Sequence, residues 1–276
     1  MFHAITPKTL KKRASRNRKQ YTSRLQKGGA LLGDMRLLVR SWTDHAPSDQ
    51  QRHWIIEENI LGKNTRARAI DVYQEAFVPR FLKGDPPNAW KIVRPLEDCD
   101  IPVDIIKPIY YWITARGEPL LYHFVVGELL ARSNGIDLSL RVDETTGWIT
   151  SKLSERGEEW SHSVTLRVAQ GLLAALRDFG ILEGTLRKKI APVYLPIESF
   201  AYVAFVLHTL GSSGERLIAH PDWKLFLMES PVVERLFLDA HQNRLLNFEA
   251  AGKIYRVEFP AHNLEEMADV IAGRRA

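Results

Sequence analysis

From Ser161 to Phe179, the apolar residues Val164, Val168, Leu172, Leu176 and Phe179 recur every three or four positions, the period of one α-helical face. Gly180 follows, where a helix commonly ends in a left-handed residue. A stripe of this length cannot alternate across a strand. It has to be buried against another element, so the chain is built on packed helices. The same spacing returns in Leu31, Leu32, Met35, Leu38, Val39 and Trp42, which predict a helix over Ala30–Asp44. A second helix is predicted from the Pro47-Ser48-Asp49 break to about Asn59. A third, capped by Asn64 or Thr65, carries Ile70, Tyr73, Phe77 and Phe81 on one face, with Pro79 kinking its last turn. A short helix is predicted around Ala89–Leu96. Pro102–Arg116 and Pro119–Arg132, dense in Tyr, Trp, Leu and Val, predict the central layer of the first half. Phe200–Leu210, Asp222–Met228, Val232–Gln242 and Leu264–Ala272 complete the helical set.

Strand signals are short. Ile136–Leu140 alternates with period two, Ile181–Gly184 and Lys189–Leu195 flank a basic turn, and Leu245–Phe248 and Lys253–Phe259 flank Ala251-Gly252. The expected fold class is mainly α: a helical N-terminal bundle, then a C-terminal α+β part with small hairpins. Helix, glycine stop and hairpin with a basic tip is the order of winged-helix modules, so the second part is read as winged-helix-like. The expected divisions are a basic, flexible arm over residues 1–28, a helical domain over 29–140 and a helical/α+β domain over 141–276.

The formal net charge of +5 conceals an uneven distribution. Residues 1–33 hold nine of the 38 basic residues and none of the 33 acidic ones, so a +9 segment precedes a body of 29 basic and 33 acidic residues, or −4. The apolar stretch after Lys27 is too short for a secretory signal, and no run reaches the ~18–20 apolar residues of a membrane span. An amphipathic transit peptide is the alternative reading of the basic start. One cysteine, Cys99, excludes an internal disulfide framework and a multi-cysteine metal site, and a cytoplasmic, reducing compartment is expected.

Catalytic signatures are missing. The nine histidines form no H-E-x-x-H and no pair at i, i+4. Gly62-Lys63-Asn64-Thr65 resembles a phosphate loop but has Glu57 where the first glycine belongs and Asn64 between Lys and Thr. There is no G-x-S-x-G elbow, and the carboxylates around Cys99 oppose a thiolate. Pro221-Asp222-Trp223-Lys224 contains the carboxylate-x-lysine fragment of metal-dependent nucleases, but it reads more simply as a capped helix with a buried Trp223. No enzyme activity, cofactor or metal is expected.

Binding signals are stronger. Lys8, Lys11, Lys12, Arg13, Arg16, Arg18, Lys19, Arg24 and Lys27 have the composition of a phosphate-binding tail. If about five of them neutralise phosphates, log affinity falls against log salt with a slope of roughly −4 to −5. Lys63, Asn64, Arg66 and Arg68 stand at the start of the third predicted helix, where free backbone amides favour an anion, and are read as a phosphate seat. A solvated face balanced by Glu57 and Glu58 is the alternative. Arg187, Lys188 and Lys189 form a third cluster at the predicted hairpin tip.

The runs EENILGKNTRARA, VYQEAFVPRFLKGDPPNAWKIVRPLE, EPLLYHFV, VAQGLLAALRDFGILEG, SFAYVAFVLHTLG, HPDWKLFL and RLLNFEAAGKIYRVEFP resemble the BrxA family of bacterial BREX bacteriophage-exclusion systems, across roughly residues 30–272. The resemblance implies a helical part like the NusB antitermination fold and no enzymatic activity. It also implies double-stranded DNA binding as an accessory of phage defence, with other BREX subunits as partners. An RNA-binding NusB-like factor and a protein-interaction scaffold are the alternatives.

Overall fold

The computed structural model describes residues 20–44, 48–252 and 254–273, which form a mainly helical chain with two small antiparallel sheets. Lys8, Lys11, Lys12, Arg13, Arg16, Arg18 and Lys19 lie outside the described residues. The described end of the expected arm is not free. Tyr21 and Leu25 are 4 % and 1 % exposed, and Ser23–Gln26 forms a 3-10 turn. Packing among the described residues therefore already includes Tyr21 and Leu25, ahead of Gly29. Two apolar anchors among the cations are enough to dock the segment, because burying one large side chain is worth about 1.5–3 kcal/mol.

Helices α1 (Leu32–Ser41) and α2 (Ser48–Glu57) lead into α3, which begins as Arg66–Asp71 and widens into a π-helical stretch, Val72–Leu82. Thr65, not Asn64, is the cap: its hydroxyl accepts from the Arg68 N–H at 3.2 Å. Pro79 has no N–H to donate, and the Lys83 N–H reaches back to the Val78 carbonyl at 2.8 Å. The backbone thus accommodates the proline by widening its hydrogen-bonded turns.

Helices α4 (Trp90–Asp98) and α5 (Val103–Gly117) follow. Helix α6 runs from Pro119–His123 through a π stretch, Phe124–Leu129, to Leu130–Ser133. Every residue of α5 from Ile109 to Arg116 is buried, the mark of a helix surrounded by others, so the expected central position is the observed one.

The second half holds β1 (Ser139–Leu140), α7 (Val142–Ser154), α8 (His162–Asp178), β2 (Leu182–Glu183) and β3 (Lys188–Ile190). Then come α9 (Ile197–Thr209), α10 (Glu215–Ile218), a 3-10 turn (Pro221–Phe226) where a regular helix was expected, α11 (Ser230–Gln242), the hairpin β4 (Asn247–Ala251) and β5 (Ile254–Glu258), and α12 (Leu264–Ile271). Helix α8 buries Val168, Leu172 and Leu176. It ends at Gly180, φ +85, with the Ile181 N–H on the Leu176 carbonyl at 2.9 Å, the glycine-terminated closure expected from its position. Strand β3 lies between β1 and β2 and runs antiparallel to both. Lys188 and Lys189 are the first residues of this strand rather than part of a turn. Gly184, φ +88, closes the turn earlier and leaves only Arg187 at its end.

Buried residues on both sides of position 140 form one cluster. Tyr202 of α9 donates its hydroxyl to the Ile92 carbonyl at 2.7 Å, and Ser199 donates to the Ile105 carbonyl at 2.7 Å.

Arg80 on the π stretch of α3 is fully buried. Its Nε donates to Glu118 Oε1 at 3.0 Å, Nη1 to the Gly29 carbonyl at 2.8 Å and Nη2 to the Gly28 carbonyl at 2.6 Å. Replacing Arg80 by Met strands a buried carboxylate and two carbonyls. The expected loss is about 3–5 kcal/mol in urea unfolding. The double change Arg80→Met with Glu118→Leu is expected to recover only part of it, because the two carbonyls still lack donors.

Candidate nucleic-acid interface

The N-terminal segment is laid along α8. A Cβ on Gly171 would sit 2.1 Å from the Leu25 carbonyl oxygen, so only glycine permits this approach, and the Gly29 position faces the Gly171 carbonyl. At the start of the described segment Tyr21 is clamped. Its hydroxyl is 2.9 Å from His123 Nδ1 on α6, and the Arg156 guanidinium lies 3.9 Å from the centre of its ring. Burial, then the positive charges of Arg156 and Lys152, push the His123 pKa down to about 4. Burial raises the Tyr21 hydroxyl pKa. At neutral pH the imidazole is uncharged, and Nδ1 shares one hydrogen bond with the Tyr21 hydroxyl.

Further along, Lys27 pairs with Asp71 of α3 at 3.0 Å, and Arg68 donates to the Lys27 carbonyl. Arg24 donates to the Thr22 hydroxyl at 2.9 Å. The root of the arm and the start of α3, two of the clusters read from sequence, are therefore neighbours. The expected phosphate seat is largely neutralised from within. Lys63 pairs with Asp34 of α1 at 2.7 Å and is mostly covered, and Arg66 pairs with Glu57. Asn64 is exposed beside them. Glu57 was visible as a neighbour in sequence, but Asp34 was not, because α1 reaches Lys63 only through folding. Exposed pairs of this kind are worth about 0–1 kcal/mol, so an incoming phosphate competes for Arg66 and Arg68 more easily than for Lys63.

The outer face of α8 is a candidate surface that the apolar stripe of the same helix does not reveal. Ser163, Arg167 and Gln170 are exposed on one stripe, continued by half-buried Ala174 and Arg177. No Asp or Glu occurs from Trp160 to Arg177. Arg177 pairs with Asp178 at 2.7 Å, whereas Arg167 has no ion pair among the described residues and donates Nε to the Ser163 carbonyl at 3.2 Å. The signal that marks this face is the same three-and-four spacing, shifted by half a turn. Three carboxylates sit in or beside the α7–α8 connection: Glu155, bound to Lys152 at 2.6 Å, Glu158 and Glu159.

At the β2–β3 turn Arg187 is exposed beside Leu186, which is 97 % exposed. Lys188 Nζ donates to the Thr185 carbonyl at 3.0 Å, and Lys189 pairs with Glu183 at 2.8 Å. Asp222, the acid of the nuclease-like fragment, is fully buried. It accepts from Trp112 Nε1 at 2.9 Å, from Arg116 and from the Tyr122 hydroxyl at 3.3 Å, which leaves it committed to the core. Among the described residues no group of three or more His, Cys, Asp or Glu is arranged to hold a metal, and no helix is long and apolar enough to cross a membrane.

The BrxA family model matches residues 19–205, more than half of the chain. The chain belongs to the BrxA family. It is thus a BREX-associated protein of an accessory family not known for catalysis. The matched region takes in the Tyr21 clamp, α8 and the β2–β3 hairpin. The fold resembles a crystal structure of an uncharacterized protein from Magnetospirillum magneticum, with a TM-score of 0.56 and 15 % identity, over 75 % of this chain and 98 % of that one. Curated proteins give no match.

The packing around the neutral His123 ring is expected to make stability depend on pH. Burial, Arg156 and Lys152 hold the folded pKa of His123 below the ordinary value near 6.5, so this contribution is complete above about pH 6.5 and is lost as pH falls toward about 4. Urea unfolding followed from pH 7 to 4 is expected to show this decline, and His123→Asn is expected to flatten it.

Proposed function

We propose that this BrxA-family chain is a non-enzymatic, cytoplasmic, DNA-binding accessory protein of a BREX phage-defence system, held on the duplex mainly through phosphate contacts. One observation carries the reading: helix α8 offers an uncovered stripe without carboxylates, and the root of the +9 segment is docked along that same helix. The succession β1, α7, α8, β2, β3, with β3 in the middle of its sheet, supports a winged-helix-like unit, in which the second helix approaches the major groove and the hairpin a flanking groove. Leu186 beside Arg187 suits a hairpin end that makes apolar as well as phosphate contact in a minor groove. Lys8 to Lys19 would follow the backbone, and Arg66 and Arg68 would add phosphate contacts beside Lys27.

The test is an anisotropy titration of duplex DNA across a salt series. The full chain is expected to show a log–log slope of roughly −4 to −5. Removing residues 1–19, or changing Arg187 and Lys188 to Ala, is expected to weaken binding on all sequences and flatten the slope by about 1 for each phosphate no longer neutralised. Arg66→Ala with Arg68→Ala is expected to do the same, while Lys63→Ala has less effect. An absence of duplex binding at low salt would favour a protein scaffold. Displacement of duplex by structured RNA, the natural competitor if the helical part is NusB-like, would favour the RNA reading.

A further inference from the structure

We propose that Arg167 and Gln170 of helix α8 read base edges in the major groove, so that binding has a sequence preference and is not set by phosphates alone. This rests on the duplex-DNA reading above and adds which element recognises sequence and with what chemistry.

Arg167 and Gln170 are three positions apart and exposed on one side of a helix of 17 residues. Residues at i and i+3 share a face. Their separation along the axis is about 4.5 Å, at 1.5 Å per residue, between one and two of the ~3.4 Å steps of a base-pair stack. A helix about 10–12 Å across enters a major groove about 12 Å wide.

The flanking residues keep this face open. Ser163 and Ala174 on the same stripe are small, and carboxylates that would repel the backbone are absent from Trp160 to Arg177. Neither Arg167 nor Gln170 has a side-chain partner among the described residues. The one hydrogen bond of Arg167 uses Nε, which leaves both Nη groups available to a ligand. An arginine fork matches O6 and N7 of guanine, and a glutamine amide matches N6 and N7 of adenine.

Three surroundings support duplex DNA as the occupant of this face. The stripe carries only positive charge, its flank at Gly171 is lined by the root of the basic arm, and the hairpin with Arg187 leaves the same helix just past Gly180. Arm and hairpin would thus hold phosphates while the stripe faces the bases.

The experiment presents the full chain with duplexes carrying a randomised window and sequences the bound fraction. An enriched motif with G and A at neighbouring positions is expected. Arg167→Ala is expected to erase the preference at the guanine and Gln170→Ala at the adenine, each by about 5- to 150-fold. The melting temperature should stay close to that of the parent. Arg167→Lys keeps the charge but loses the fork, so it should lose the guanine preference with an unchanged salt slope. Two outcomes would overturn the assignment while leaving DNA binding intact: a parent chain that binds duplex without enriching any motif, or an Arg167→Ala variant that weakens every sequence alike. Failure to bind duplex at all would remove both readings together.

Discussion

The buried guanidinium of Arg80 fixes the course of the first described residues of this protein. It is satisfied by one carboxylate, Glu118, and by the carbonyls of Gly28 and Gly29. A buried cation without such partners is strongly disfavoured, so the fold has to bring these groups together. Once Gly28 and Gly29 are held, Leu25 and Tyr21 are directed along α8, and Gly171 leaves the space for them. The course of the arm root is therefore set by the interior of the first half, although the helix it borders belongs to the second.

A second buried network links the halves by the same logic. Asp222 lies far along the chain from Trp112 and Arg116 of α5, yet all three meet in the core, where Arg116 also donates to the Asp85 carbonyl at 2.7 Å. Glu97 does likewise for α1 and α4. Arg36 and Arg40 each approach it at 2.7 Å and Tyr110 at 3.0 Å, and these donors hold its pKa below the ordinary carboxylate value against the cost of burial. Asp222, the carboxylate of the nuclease-like fragment, is here absorbed by Arg116 and its neighbours, and the stripe of α8 is left outside such networks.

Much of the fold was legible because its signals are local. The stripe ending at Gly180, the density of large residues in α5 and the hairpin around Gly252 each depend on spacing within one element. The failures have equally specific causes. The Pro79 region widened into a π-helical stretch because the backbone can reroute its hydrogen bonds, which a kink rule does not consider. The lysines after Arg187 entered β3 because Gly184 turned the chain early. The phosphate seat gave up much of its free charge to Asp34, and the last residues of the arm were drawn into the core by Tyr21 and Leu25.

By itself the sequence determined the helical class, the limits of most elements, the family resemblance and the concentration of positive charge before residue 34, because periodicity and charge are properties of neighbouring residues. Only the tertiary structure decided which cations remain available and what they border. Asp34 and Asp71 reach their partners through packing, and the arm root meets α8 because Arg80 and Gly171 lie in elements that become adjacent only in the folded core. Charge is counted along a chain, but it acts across distances of a few ångströms, and those are set by the fold.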